Sequence, residues 1–303
     1  MKILFLGSSR FSLIVLKKML ENGENVVGVI SQPDKPSGRG HKLTPTEVKK
    51  FALENNLKVY DFDRVRNHIP EIKEIDYDIA VVASFGQILP EDFLAIHLTI
   101  NVHPSLLPKY RGATPIQNAL LNCDDETGVT IMKVAKEVDS GDILLQEKVK
   151  IENEYYLALE EKLAIKGGKM VSKALKLIDN NECKWISQDS EKATFVSKLT
   201  KEQGILDFSQ DHNKILGKVR AMSEEIGTFI ALNGQLLKVG EAIFSQEEVT
   251  QGQIALNKKK FVIGCADGGI EILKVQAPSG KMISGRDYIN GHSDVLGKKV
   301  DNA

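Results

Sequence analysis

The sequence predicts a mainly parallel α/β sheet with helices on both faces, followed by a small β domain of the partly open barrel type. Three observations carry this. Strand-like and helix-like stretches alternate up to about residue 180. The run IAVVASFG at 79–86 is apolar on both faces, as a central parallel strand must be. From about residue 205 the texture changes to short strands separated by Gly and Asn turns. A chain of 303 residues suits two such domains.

The elements follow in order. KILFLG is a buried first strand, and FSLIVLKKMLENG has helical spacing and stops at Gly23. VVGVI, 26–30, is the second strand. PTEVKKFALENN reads as a helix with Pro45 near its start. After the strand at 79–86, LTINV is the next strand, ATPIQNALLN is helical and VTIMKV is extended. YYLALEEKLAIKGGKMVSKALKLI, 155–178, is a long amphipathic helix. Gly167 and Gly168 inside it mark either a weak point or a close packing site. DNNECKWISQDSEKATF is polar and poorly periodic, and reads as a linker. DHNKILGKVRAM offers a short helix, and GTFIALNG, QLLKVGEAIF, KKKFVIGCADG and GIEILKVQAP are the β domain's strands. There are no internal repeats.

Composition narrows the function. Apolar residues make up 42% and charged residues 27%, as in water-soluble globular proteins. Lys plus Arg number 40 against 41 Asp plus Glu, so the net charge is -1. The chain as a whole is not a basic nucleic-acid wrapper, and such a partner must meet a local basic patch. Cys123, Cys183 and Cys265 show no ligand-like spacing and read as free thiols in a reducing compartment. The N-terminus reads as a strand and not as a signal peptide. No apolar run approaches the roughly 20 residues that cross a bilayer. A cytoplasmic location is expected.

Several common chemistries find no support. FLGSSR has the strand–turn–helix setting of a phosphate loop, but neither GxGxxG nor GxxxxGK[ST] is present, so a tight turn is the better reading. There is no GxSxG elbow. His41, His68, His97, His212 and His292 are not spaced as metal ligands, and no metal is expected.

NVHPSLLPKYRGATPI, 101–116, is different. LTINV runs to the carboxyl edge of the sheet, where open α/β folds place ligands. At strand period two, Asn101 and His103 point to the same side. The amide can hydrogen-bond a developing oxyanion, and the imidazole can transfer a proton near neutral pH. The plainer alternative is a strand-end histidine bonded to backbone. KEVDSGDILLQE, 136–147, adds Asp139 and Asp142 around Gly141, and a carboxylate beside an imidazole orients it. Third, SQPDKPSGRGHKLTPTEVKK, 31–50, is long for a βα connection and rich in basic residues. It is either a solvated loop or a phosphate-backbone contact beside the cleft.

Together these segments resemble the folate-dependent formyltransferases, and within them the methionyl-tRNA formyltransferase family. NVHPSLLPKYRGATPIQNAL carries the N-x-H and SLLP of the wider group and an RGATPI close to the tRNA branch's RGAAPI. SQPDKPSGRGHKL resembles that branch's inserted loop, and SFGQILP, ETGVTIM and VDSGDIL match in order and spacing. The resemblance covers essentially the whole chain. It implies a Rossmann-like catalytic domain at 1–184, a linker at 185–204 and an OB-like tRNA-binding domain at 205–303. It implies transfer of a formyl group from 10-formyltetrahydrofolate to the α-amine of methionyl-initiator tRNA, by a monomer that needs no membrane and no metal. Carried over, Asn101 binds the oxyanion, His103 moves the proton and Asp142 sets the state of His103. Phe85, Gly86, Gln87, Ile88 and Leu89, with Ser105, Leu106, Leu107 and Pro108, line the folate site. Val138, Asp139, Ser140 and Gly141 complete it. Lys35, Arg39 and Lys42 serve the tRNA.

The chain departs from the family pattern in GSSRFS, where the usual start is near GTPxFA. It departs again in RAMSEE, which lacks an expected proline after Arg220, and in a C-terminal domain that is not strongly basic. Two other functions compete. A formyltransferase for a small amine would not need the 31–44 loop or the β domain. A catalytically silent RNA-binding protein would not need Asn101, His103 and Asp142.

Overall fold

The strand KILFLG, β1 (Lys2–Gly7), is buried from its second residue on and sits inside the sheet of the first of two units. A computed structural model describes residues 1–37, 42–257 and 259–301. After β1 come α1 (Arg10–Glu21), β2 (Asn25–Ile30), β3 (Lys35–Ser37), β4 (Lys42–Thr44), α2 (Glu47–Glu54) and β5 (Val59–Tyr60). Then follow α3 (Ile69–Lys73), β6 (Ile79–Ala83), α4 (Glu91–Leu94), β7 (Thr99–His103), β8 (Arg111–Gly112) and α5 (Pro115–Leu121). β9 (Glu126–Lys133), β10 (Ile143–Lys150), α6 (Tyr156–Asp179) and β11 (Phe195–Val196) complete this part. The first unit comprises Met1–Pro115, Glu126–Lys150 and Glu160–Val196.

Its sheet has seven strands in the order β10-β9-β7-β6-β1-β2-β5. The β7-β6-β1-β2-β5 part is parallel, while β9 and β10 add an antiparallel edge. Register decides which side each residue faces. Leu4 pairs with Ala80, Leu6 with Val82, and Val82 with Asn101. Those residues share a face, and on it Leu4, Leu6, Ala80 and Val82 pack with Ile72 of α3 and Phe93 of α4. Asn101 and His103 therefore lie at the edge of this core face. The other face carries α1 and α6. A Cβ on Gly167 would sit 2.7 Å from Cγ1 of Val102, and one on Gly168 would sit 2.5 Å from Cβ of Lys18. The glycine pair is thus a close packing site, with Gly167 set against Val102, the residue between Asn101 and His103, and Gly168 against α1.

The unusual GSSRFS start has a physical account. Ser9 caps α1, and its hydroxyl and that of Ser12 form a capping box. Ser12 Oγ also receives the amides of Ser8 and Ser9 and donates to the Ala83 carbonyl, tying β1's exit to β6. Arg10 Nη1 reaches Glu160 Oε2 at 2.7 Å, and Nη2 reaches Glu161 at 2.8 Å. Glu160 is only 3% exposed, so Arg10 supplies the counter-charge its burial demands.

The 31–50 loop is not structureless: β3 and β4 form a short antiparallel hairpin within it. The segment expected as a linker from residue 185 is also ordered against the first unit. Ile186 bridges Ile143, and β11 pairs with β8.

The second unit comprises Ile116–Asp125, Ile151–Leu159 and Ser197–Ala303. It contains α7 (His212–Met222), β12 (Thr228–Leu232), β13 (Gln235–Ser245), β14 (Val262–Cys265), β15 (Gly268–Gln276), β16 (Ile283–Ser284) and α8 (Gly285–Gly291). The strands form an antiparallel sheet in the order β12-β13-β15-β14, with β16 added to β15. Its edge strands are joined by irregular segments: Asp301 bonds to Ala231 of β12, Val300 to Gly252, and Ala255 to Val262 of β14, so the small β domain curls toward a barrel. Asn233 and Gly234 turn β12 into β13 with φ of 51° and 71°, the left-handed pair that a two-residue hairpin requires. Ile215 and Val219 of α7 and Tyr288 and Ile289 of α8 fill the core with Phe208 and Phe261. The three cysteines are free, and burial pushes each thiol up, which makes them poor nucleophiles. Among the described residues no helix is long and apolar enough to cross a membrane.

Candidate active site

The site is built on the end of β7. Beyond His103 the chain folds back on itself. Ser105 Oγ donates to the Lys109 carbonyl at 2.6 Å, and Tyr110 takes a left-handed φ of 63°. This returns the Tyr110 carbonyl to 2.9 Å from His103 Nε2. A carbonyl only accepts, so Nε2 carries a hydrogen and Nδ1 is the atom left for chemistry. Nδ1 faces Asp139 Oδ2 at 3.5 Å, with the two side chains 5% and 14% exposed. Asp139 Oδ1 accepts from Asn101 Nδ2 at 3.3 Å, and Oδ2 accepts from the Gly112 amide at 2.8 Å. The second Nδ2 hydrogen of Asn101 has no partner among the described residues. An amide, an imidazole and a carboxylate therefore converge, with one amide donor unspent.

The carboxylate is not the expected one. Asp142 accepts from Ser187 Oγ at 2.9 Å and lies 3.8 Å from Lys133 Nζ. Its carbonyl accepts the Lys133 amide, so Asp142 belongs to the start of the β10 ladder. Two features turn the chain between the two aspartates. Asp139 sits at φ 50°, which an Asp tolerates better than most residues. Gly141 lies so close to the Lys133 carbonyl that a Cβ would be 2.0 Å from its oxygen. Asp139, expected in the folate wall, is thus the carboxylate beside Asn101 and His103, and Asp142 is not.

The remaining expected folate residues separate into support and surface. The Phe85 carbonyl is held by Gln32 Nε2 at 2.8 Å, and Gln87 is tied to Val65 and Asp63. Leu89 packs partly into the core. Ser105 and Leu107 are buried, and their polar groups are spent on Lys109, Thr130 and Gln146. Leu106 packs over Gly128, and the Pro108 carbonyl accepts the Thr194 amide. Ser140 Oγ donates to the Glu137 carbonyl, and Gly141 is buried. What faces outward is Gly86, Ile88 at 84% exposure and Val138 at 56%. Lys136 Nζ pairs with Glu91 Oε1 at 2.8 Å on the exposed surface beside these turns.

Of the residues expected to serve the tRNA, Lys35 is exposed on β3 with its ammonium on Gln32 Oε1. Lys42 opens β4, and Arg39 lies outside the described residues. Among the described residues no group of three or more His, Cys, Asp or Glu side chains could hold a metal ion.

Comparison with known proteins bears on this geometry. The formyl transferase family matches residues 1–175, and the formyl transferase C-terminal domain matches 198–293. The methionyl-tRNA formyltransferase of Sulfurihydrogenibium sp. (strain YO3AOP1) is 37% identical over 311 residues, covering 99% of this chain and 100% of the relative. The chain belongs to the methionyl-tRNA formyltransferase family. The family member from Caldicellulosiruptor saccharolyticus is 38% identical, with 96% of this chain and 97% of the relative covered. Among solved structures, WlaRD, a sugar 3N-formyl transferase crystallised in the presence of dTDP and 5-N-formyl-THF, superposes with a TM-score of 0.68. It is 25% identical and covers 90% of this chain and 96% of its own.

The sequence alone did not disclose Gln188 and Thr194. Gln188 binds the backbone on either side of Ser140, and the Thr194 hydroxyl accepts the Tyr110 amide at 2.8 Å. Both lie in a polar stretch without periodicity, which offers no local signal. For Asp139 a signal existed: aspartate is enriched in left-handed turns, and Ser-Gly follows it.

Proposed function

We propose that Asn101, His103 and Asp139 carry formyl transfer in this chain. The chain moves the formyl group of 10-formyltetrahydrofolate to the α-amine of methionyl-initiator tRNA, giving N-formylmethionyl-tRNA for translation initiation. The bound folate supplies the activated formyl carbon. Gly86, Ile88 and Val138 hold it, on a frame made by Phe85, Gln87, Leu89 and the 105–108 and 138–141 backbone.

The unspent Asn101 hydrogen is the observation that carries this reading. It is a fixed donor for the formyl oxygen as that oxygen gains charge, and it needs no reorganisation at the moment of reaction. His103 Nδ1 and Asp139 Oδ2 form the proton-handling pair. With Nε2 held by the Tyr110 carbonyl, the imidazole takes or gives its proton at Nδ1 only. Asp139 steadies the charged imidazole and, through Oδ1, aims the Asn101 amide. As the amine nitrogen bonds to the formyl carbon, the bond from that carbon to folate N10 breaks. The proton the amine loses passes through this pair to the departing N10, which leaves as the amine of tetrahydrofolate. The rest of the rate comes from holding amine and formyl carbon in reacting geometry.

The Lys35, Arg39 and Lys42 segment contacts tRNA phosphates, and the domain from about residue 205 takes part in tRNA binding. Free thiols agree with a cytoplasmic enzyme, and we take the working form to be a monomer. The test mixes the protein with formyl donor and charged initiator tRNA, with free methionine and small amines as controls. Formylated methionyl-tRNA is expected, and formylation of a small amine alone would overturn the reading.

A further inference from the structure

We infer that Gln188 is a positioning residue for catalysis, holding the turn that presents Asp139 to His103. The inference rests on the assignment of Asp139 made above. Gln188 Nε2 donates to the Asp139 carbonyl at 2.8 Å and to the Gly141 carbonyl at 2.7 Å. Gln188 Oε1 accepts from Arg111 Nε at 3.0 Å and Nη2 at 2.8 Å. Both amide hydrogens and both oxygen lone pairs are therefore used. The amide orientation is fixed by its partners, because a flip would set oxygen against two carbonyls and NH2 against a guanidinium.

Each neighbour gives the contact a purpose. Asp139 sits at φ 50°, a left-handed turn that Asp tolerates, and the Gln188 contact fixes its carbonyl in that turn. Arg111 is 4% exposed and is followed by Gly112, whose amide binds Asp139 Oδ2. One side chain thus joins the turn that carries Asp139 to the segment that grips its carboxylate. Gln188 is itself held by its own chain, since Ile186 bridges Ile143 and Phe195 and Val196 pair with Arg111 and Gly112. A Cβ at Gly112 would sit 2.2 Å from the Val196 carbonyl oxygen, which shows how closely the 186–196 strap is applied.

Gln188→Glu separates this role from a merely structural one. The variant keeps size and shape and strengthens the link to Arg111, but it replaces both donors to the turn with an acceptor. A residue that only anchors Arg111 would be unharmed. A residue that clamps the turn loses its function. Gln188→Met removes both halves and is the companion variant.

The measurement is steady-state formylation of charged initiator tRNA by the full chain, with separate KM values for tRNA and formyl donor. Gln188→Glu and Gln188→Met are each expected to lower kcat about 100-fold, the cost of a roughly 1 Å misplacement, with both KM values within about threefold. In the double variant with Asp139→Asn, the Gln188→Glu change is expected to add less than about threefold to the loss from Asp139→Asn alone, since one acts through the other. A kcat for Gln188→Glu within threefold of wild type would overturn the inference, and so would losses that multiply in the double variant. If the unsubstituted protein forms no formylmethionyl-tRNA, the functional assignment fails instead.

Discussion

Substituting Asp139 by Asn tests the site at its centre. The carboxylate receives Gly112 N–H and Asn101 Nδ2 on different oxygens and faces His103 Nδ1. An Asn offers one oxygen and one NH2 group. Whichever way it turns, one of the two donors it now meets faces another donor, and the charge opposite His103 is gone. A charge-assisted hydrogen bond contributes about 1.5–3 kcal/mol, and the orphaned donor adds about 1–3 kcal/mol. Of that total, about 3–5 kcal/mol falls on the transition state. At 1.36 kcal/mol per factor of ten, kcat drops about 10²- to 10⁴-fold. Asp142→Asn is the control. Its side chain is 39% exposed and its lysine partner 36%, so a change of at most about threefold is expected. Formylation of charged initiator tRNA gives the rates, and far-ultraviolet circular dichroism checks folding. Asp139→Asn retaining more than about a tenth of wild-type kcat would refute the reasoning. An Asp142→Asn loss of equal size would refute it too.

Three further outcomes are expected. Hydrogen bonds to Glu71 and then Asp63 raise the His68 imidazole above its ordinary value of 6.5. Because the folded value is the higher one, the stabilisation is complete below about pH 6.5 and is lost as pH rises through the folded value. The Tm gap between wild type and His68→Gln should be wider near pH ~5.5 than above the folded value, where the ion pairs are gone, and a constant gap would contradict this. Gly167→Ala forces a methyl to 2.7 Å from Val102 and should lower stability by about 1–3 kcal/mol, read by urea unfolding of the first unit. Unchanged stability would mean that α6 can move off β7. Replacing Lys35, Arg39 and Lys42 together by Ala should raise KM for tRNA and leave that for the formyl donor unchanged. The slope of log affinity against log salt should fall by about 2, and an equal loss for both substrates would exclude the loop as a phosphate contact.

Much of the fold was legible because it is written in periodicity. IAVVA could only be a central parallel strand, and the alternation before and after it fixed the class of sheet. LTINVH showed through parity that Asn101 and His103, two residues apart on one strand, share a side. His103 is bonded to backbone through Nε2, as the plainer reading expects, and its Nδ1 faces a carboxylate. Parity says nothing inside a turn, which is why VDSGD did not disclose its working carboxylate. The choice depends on a left-handed Asp139, on Gly141 pressed against Lys133 across the turn, and on contacts from Asn101 and Gln188, which are distant in sequence. Gln188 lies 49 positions from Asp139, and Thr194 lies 84 from Tyr110. Short strands such as β5, with two residues, carry too few side chains to show a period.

The pairing of Phe195 and Val196 with Arg111 and Gly112 also has a consequence in time. A ribosome makes about 5–20 residues per second, so seconds separate the appearance of Tyr110 from that of the segment that secures it. Until Val196 clears the exit tunnel, the unfinished polypeptide has its histidine and Asp139 but neither the Gln188 clamp on the Asp139 turn nor the pairing that secures Arg111 and Gly112. Translation stalled before that point should release a product able to bury much of its first sheet yet inert toward formyl donors.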